Sequence, residues 1–267
     1  MNSTGFRCRR SAVRTNTELS IVLPVRNEED NIGDLLREIV AVVRNDVRMP
    51  AEIIVIDDAS DDASAAVVQR FLNETGHGAD GGSSAICPAV KLFRLDVHSG
   101  QARALMKGYA AAKGALLVSM DGDGQHDPAD IPRFLEKADT FDMVCGIRNG
   151  RSDGFARLFC SKIANGFRNL VTGDTVKDAG CTFRMMRKEC FPVLKRLPDT
   201  LLGCDFFFHP LFVRTSGYRV GEIAVTHRGR KGGRSNYHLL RKRFLRGARA
   251  CFRAARLKNR LRRRNVS

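Results

Sequence analysis

From residue 19 onward the chain alternates between two rhythms. Residues 19–25 are an apolar run of strand length; residues 27–44 follow with Ile32, Leu35, Leu36, Ile39 and Val43 at helical spacing. The alternation repeats. An apolar run at 51–56 precedes a helical pattern at 61–74, and 90–95 precedes 101–113. The run at 115–120 precedes 130–139, and a fifth run occupies 143–147. Residues 76–88 are rich in Gly and Ser and predict a surface loop. Continuously apolar strands alternating with helices predict βαβ units. The expected fold class is therefore α/β, with a mostly parallel central sheet and helices on both faces. No apolar run approaches the roughly 18–20 residues that span a bilayer. None near the N-terminus has the form of a secretory leader, so neither feature is expected.

In sheets of this kind ligands bind beyond the carboxyl ends of the strands. Four such ends carry charge or amide groups. Pro24-Val25-Arg26-Asn27-Glu28 closes the first strand and Asp57-Asp58-Ala59-Ser60-Asp61 follows the second. Asp121-Gly122-Asp123-Gly124-Gln125-His126 follows the fourth, and Arg148-Asn149-Gly150-Arg151-Ser152 the fifth. Carboxylates at two ends and guanidinium groups at two others describe a pocket for a metal-bound, phosphorylated ligand. Asp121 and Asp123, at i and i+2 of a strand end, point to one side. They would repel each other without a cation, and hard oxygen ligands suit Mg²⁺ or Mn²⁺ completed by substrate phosphate. Gln125 adds a neutral oxygen, and Gly122 lets the backbone approach a ligand. The bland alternative is an acidic surface turn. Asp57 or Asp58 can accept from a nucleobase N–H or a ribose hydroxyl, while Ser60 reads equally well as a helix N-cap. The stretch 100–108 lacks the glycine pattern of a phosphate-binding loop, so its small residues are expected to serve helix–sheet packing.

Charge adds a boundary. The net charge of +16 arises from 45 Lys and Arg against 29 Asp and Glu. Four arginines without an acid lie in residues 1–14, and twelve Lys and Arg without an acid lie in 238–267, so the body between is neutral. Residues 1–17 read as a disordered basic arm, with a short targeting peptide as the alternative. In the tail, Leu240, Phe244, Gly247, Ala248, Cys251 and Ala255 share one helical face opposite Lys242, Arg246, Arg249, Arg253 and Arg256. A basic amphipathic helix reads as membrane-surface binding, the alternatives being a helix packed on its own domain or an RNA-binding arm. The eight scattered cysteines form no CxxC pair and fit reduced thiols in a cytosol.

The ordered segments LSIVLPVRNEEDNI, IIVIDDASDD, HSGQARALMKGYAAAKGALLVSMDGDGQHDPADIP, GIRNGR, DAGCTFRMM and HRGRKGGRSNY resemble the family-2 glycosyltransferases of the GT-A fold, within them the dolichyl- and polyprenyl-phosphate mannosyltransferase group. The likeness covers residues 18–237, which makes that span the expected catalytic domain. It implies a metal-dependent inverting transfer of a sugar from a nucleoside diphosphate sugar, GDP-mannose or a UDP-sugar, to a polyprenyl phosphate. By position it implies that Pro24, Arg26 and Glu28 line the nucleotide site and that Asp57 or Asp58 meets the base. Asp121 would approach the ribose or sugar phosphate, while Asp123 and Gln125 hold the metal. Arg148, with Arg151 and Ser152, would serve the acceptor phosphate, and Arg230 the late basic segment. Two departures stand out. Arg26 replaces a commoner tyrosine, and Asn236 replaces a lysine, which passes diphosphate contact to Lys231 or Arg234. Asp178 is the candidate general base for a hydroxyl acceptor, whereas a phosphate acceptor needs cations instead. The chain is accordingly expected in the cytoplasm, peripheral on the cytoplasmic face of a membrane. The rival expectations are transfer to a saccharide or lipid-linked hydroxyl, and an inactive protein of this fold that binds nucleic acid.

Overall fold

The computed structural model describes residues 17–76, 87–149, 155–198, 205–229 and 240–264. Among them seven strands form one sheet: β1 (Leu19–Val25), β2 (Ala51–Asp57), β3 (Ala89–Arg94), β4 (Leu116–Ser119), β5 (Met143–Asn149), β6 (Arg184–Arg187) and β7 (Val220–Thr226). The helices longer than one 3₁₀ turn are α1 (Ile32–Val42), α2 (Ser64–Thr75), α3 (Gln101–Ala111), α4 (Ile131–Leu135), α5 (Phe155–Thr172), α6 (Phe191–Lys195), α7 (His209–Thr215) and α8 (Leu240–Arg264). Strand order is β3-β2-β1-β4-β6-β5-β7. Every pairing is parallel except the two made by β6, which runs antiparallel between β4 and β5. This is the mostly parallel α/β sheet expected from the alternating pattern.

The strict alternation of side chains along each strand feeds two cores. Leu19, Ile21, Leu23 and Val25 of β1 join Ile53, Val55 and Val118 beneath α1, α2 and α4. Val22, Ile54, Ile56 and Leu117 point the other way, toward α3, α6, α7 and α8. Burial on both faces is why these strands read as unbroken apolar runs. Pro24 is tolerated in a central strand because of register. The ladder to β4 ends at Val22↔Ser119, so the missing N–H of Pro24 falls beyond the last paired residue.

Two elements depart from expectation. α1 begins at Ile32 rather than residue 27, because Asn27 takes a left-handed conformation (φ 55°) and the turn after it is closed by Asn31 and Ile32 N–H groups donating to Glu28 O. The basic tail helix α8 does not turn an apolar stripe outward. Its residues Ala250, Cys251 and Ala254 are buried in the second core, with Leu257 and Leu261 packed against it. Of the side chains expected on the apolar face, Cys251 is buried in the protein itself, and the reading as a helix packed on its own domain is the one realised.

Candidate active site

The carboxyl ends of β1 and β2 interlock through their loops. Asn27 N–H donates to Ser60 Oγ (3.0 Å), and Glu28 N–H donates to Ser64 Oγ (2.8 Å). Asp61 N–H returns a bond to Asn27 Oδ1 (2.9 Å), and Ala63 N–H one to Glu29 Oε2 (2.8 Å). Ser60 is therefore not a helix cap: α2 starts at Ser64, and Ser60 Oγ holds the neighbouring loop. Arg26 reaches across the same seam to Asp58 O and to Asp61 Oδ2, each at 3.3 Å. Glu28 Oε2 accepts from Asn31 Nδ2, and Pro24 is buried within β1.

Asp57 and Asp58 are both buried. Asp57 Oδ1 accepts Ser60 N–H (3.0 Å), and its other oxygen is paired with Arg94 Nε at 3.3 Å. Asp58 takes Ser99 N–H (2.6 Å), Gly100 N–H (2.8 Å) and the His98 ring nitrogen Nδ1 (2.8 Å). It thereby pins the segment entering α3, where Gly100 has φ 88°. That placement sets Gln101, the first residue of α3, so that its Nε2 donates to Asp121 Oδ1 at 2.5 Å. Helix–sheet packing was the role expected for this stretch, and Gly108 fulfils it: a Cβ there would lie 2.2 Å from Val22 Cγ1. The link from Asp58 through Gln101 to Asp121 carries no pattern in the sequence, since it joins residues far apart in the chain.

β4 ends at Ser119, so the two carboxylates expected on one side of a strand are placed instead by a turn through Gly124 (φ 70°). Asp123 Oδ1 accepts Gln125 N–H (3.1 Å). Gly122 is required by packing rather than by a ligand: a Cβ there would sit 2.8 Å from Val25 Cγ2. Burial pushes the Asp121 carboxyl up, against the pull of the Gln101 amide and of the Arg148 and Arg184 guanidinium groups. His126 is not the open loop residue its position suggests. It is buried between Phe183 and His227, and burial lowers its pKa to about 4, so its imidazole is neutral. His126 forms a bridge with His227 beyond β7, and Arg228 N–H donates to Gln125 O (2.7 Å). Arg228 also pairs with Glu38 (2.6 Å) and Asp127 (2.7 Å), clamping the β7 end onto this turn. Sequence reasoning looked to Arg230 and missed Arg228.

At the end of β5, Arg148 donates from Nε and Nη2 to the two oxygens of Asp178, both at 2.8 Å, and its backbone N–H adds a longer bond at 3.3 Å. Burial opposes the charge, yet these bonds hold the guanidinium above its ordinary pKa. Gly180 makes room, since a Cβ there would lie 3.0 Å from Arg148 Nη2. The Asp178–Cys181 loop is fixed from below by Arg184, whose guanidinium donates to the carbonyls of Ala179, Cys181 and Phe206. Cys181 is a buried thiol that burial pushes up to about 12. Arg151, Ser152, Arg230, Lys231, Arg234 and Asn236 lie outside the described residues.

Among the described residues no three His, Cys, Asp or Glu side chains are placed to hold an ion by themselves. The donor set at the β4 turn is two carboxylates with the Gln125 amide oxygen. That chemistry fits a hard divalent cation whose shell is completed by substrate phosphate and water. Asp121, Asp123, His126, Arg148 and Asp178 meet at the carboxyl edge of the sheet, where their electrostatic influences overlap.

Residues 20–194 match the model of the family described as Glycosyl transferase family 2. The chain belongs to that family. It is 32% identical over 231 residues to a dodecaprenyl-phosphate galacturonate synthase of Rhizobium johnstonii, covering 84% of this chain and 63% of that one. It is 35% identical over 227 residues to an undecaprenyl-phosphate 4-deoxy-4-formamido-L-arabinose transferase of Klebsiella pneumoniae, covering 84% and 64%. The chain thus spans slightly less than two thirds of the length of these relatives. Among solved structures, mannosyl-3-phosphoglycerate synthase from Rubrobacter xylanophilus superposes with a TM-score of 0.63 at 18% identity, covering 91% of this chain and 75% of that one. A mannosyltransferase from Pyrobaculum calidifontis, in complex with GDP-Man and Mn²⁺, gives 0.58 at 16% identity, with 90% and 73% covered. These likenesses establish the GT-A fold expected from the ordered motifs.

Proposed function

We propose that this member of glycosyl transferase family 2 transfers a sugar from a nucleoside diphosphate sugar, GDP-mannose or a UDP-sugar, to a polyprenyl phosphate. The observation that carries the choice of acceptor is the pairing of Asp178. A hydroxyl acceptor must lose its proton as it attacks, and Asp178 is the carboxylate expected to take it. Both Asp178 oxygens are instead held by Arg148. A phosphate acceptor is already anionic and needs no base, and relatives named for dodecaprenyl and undecaprenyl phosphate support that reading.

In this reading Asp178 orients Arg148, whose remaining N–H groups meet the acceptor phosphate. Asp57 contacts the nucleobase, and Asp121, steadied by Gln101, lies against the ribose or sugar phosphate. A phosphate oxygen attacks the anomeric carbon, the bond from that carbon to the donor diphosphate breaks, and the diphosphate departs with the electron pair. Asp121, Asp123 and Gln125 would hold Mg²⁺ or Mn²⁺, which when bound supplies positive charge to the departing group. The test compares a short water-soluble prenyl phosphate with the prenol of the same length, each with labelled donor and Mn²⁺. Transfer is expected to the phosphate and not to the alcohol. A glycosylated prenol, or equal use of a saccharide, would overturn the assignment.

A further inference from the structure

α5 and α8 lie side by side with a surface of their own. Lys258 Nζ donates to Thr172 O (2.5 Å), and the Phe167 and Phe252 rings meet edge to face, their centroids 6.2 Å apart. Outward from this contact three large apolar side chains face solvent. Phe252 is 55% exposed, Ile163 50% and Leu170 84%. Ile163 and Leu170 stand four residues before and three after Phe167, so they extend the same face of α5. Arg249 and Arg256 flank Phe252 one helical turn to either side, and both are exposed. Neither α5 nor α8 contains an Asp or a Glu.

An apolar strip framed by cations and free of acids has one fitting counterpart. The apolar side chains call for hydrocarbon, and the arginines call for a dense anionic sheet around it. Nucleic acid would satisfy the arginines alone, because leucine and isoleucine offer no stacking platform for bases. We propose that the paired outer face of α5 and α8 docks on an anionic phospholipid bilayer, with Ile163, Leu170 and Phe252 entering the headgroup boundary. This differs from the stripe expected along α8 alone, most of which the protein buries for itself, and it goes beyond the transfer reaction, since docking requires neither donor nor acceptor.

The experiment is sedimentation of the full chain with phosphatidylcholine vesicles, with and without phosphatidylglycerol, in rising salt, beside a single-stranded RNA retention assay. The intact protein is expected to pellet with the anionic vesicles and to be released as salt rises. The double variant Leu170→Ser, Phe252→Ser is expected to bind them about tenfold or more weakly, with an unchanged melting temperature and unchanged transfer to a water-soluble acceptor. Should the Phe252 change disturb the Phe167 contact and lower the melting temperature, Leu170→Ser alone decides, at a side chain with little to lose in the fold. Vesicle binding equal to the intact protein in a folded variant would overturn the proposal. So would an intact protein that ignores anionic vesicles or prefers RNA to them.

Discussion

Asp58 shows how a residue legible as functional acquires a different task in three dimensions. Its carboxylate is filled by the His98 ring and the Ser99 and Gly100 N–H groups, and through them it delivers Gln101 to Asp121. Gln101→Ala removes a hydrogen bond to a charged group, a contact of about 1.5–3 kcal/mol. It is expected to lower kcat/KM by about 10- to 100-fold, while the unfolding midpoint stays in place because Gln101 is exposed. Unchanged kinetics would show that Asp121 holds its position without the amide. Asp178→Asn is predicted to act mainly on stability. It leaves Arg148, 15% exposed at the side chain, without its ionic partner, at a cost on the order of 3 kcal/mol. Transfer measured well below the melting temperature is expected to persist. Loss of transfer with both substrates still binding would return Asp178 to the role of base. The metal-turn carboxylates were visible from the sequence because a paired-acid motif is local. Gln101, Arg228 and Arg184 were not, because each acts on a partner carried by another element.

Individual elements follow the same division. β1, β2 and β4 were legible because burial on both faces leaves no polar position to interrupt them. β6 (RMMR) and β7 (VGEIAVT) carry charge or partial exposure and resemble connecting chain. The seat of α3 depends on Gly108. Adding a methyl group 2.2 Å from Val22 Cγ1 forces the helix off the sheet, so Gly108→Ala is expected to cost about 1–3 kcal/mol in denaturant unfolding despite its better helix propensity. A stabilised variant would mean that α3 shifts freely. At the amino-terminal end of the sheet, Glu52 accepts from Ser20 Oγ, Lys91 Nζ and Lys113 N–H, tying β1, β2 and β3 to the end of α3. Burial opposes its charge, yet these partners hold the carboxyl below its ordinary 4.5. A depressed carboxylate stabilises the fold above its unfolded pKa and loses that contribution as pH falls through the folded one. The stability gap between the intact chain and Glu52→Gln is therefore expected to be widest near about pH 7 and to close below about pH 4. A gap independent of pH would show that the ionised form carries no advantage.

At the scale of the whole molecule the decisive fact is that α8 belongs to the core. Ala250, Cys251 and Ala254 are buried alongside α7 and α5 residues, and Lys258 caps the carbonyl of Thr172. Removing residues 238–267 is therefore predicted to destabilise the protein by on the order of 3 kcal/mol or more, lowering the melting temperature, rather than merely detaching a tail. A truncated chain that melts like the intact one would show that α8 packs without contributing. The same packing explains why the cationic charge of the segment ends up on one outward side, next to α5.

By itself the sequence determined the alternation of buried strands and helices, the mostly parallel sheet, the carboxyl-end location of the site and the family. Each of these rests on periodicity, or on motifs whose residues are neighbours in the chain. The antiparallel insertion of β6 between β4 and β5 came only with the tertiary structure. So did the locking of Arg148 by Asp178, the relay from Asp58 to Asp121, and the inward turn of α8's apolar face. The physical reason is common to all four. Hydrogen bonds and buried surface are satisfied by partners 20 to 100 or more residues away, and a linear pattern shows which groups need partners without showing which partners they find.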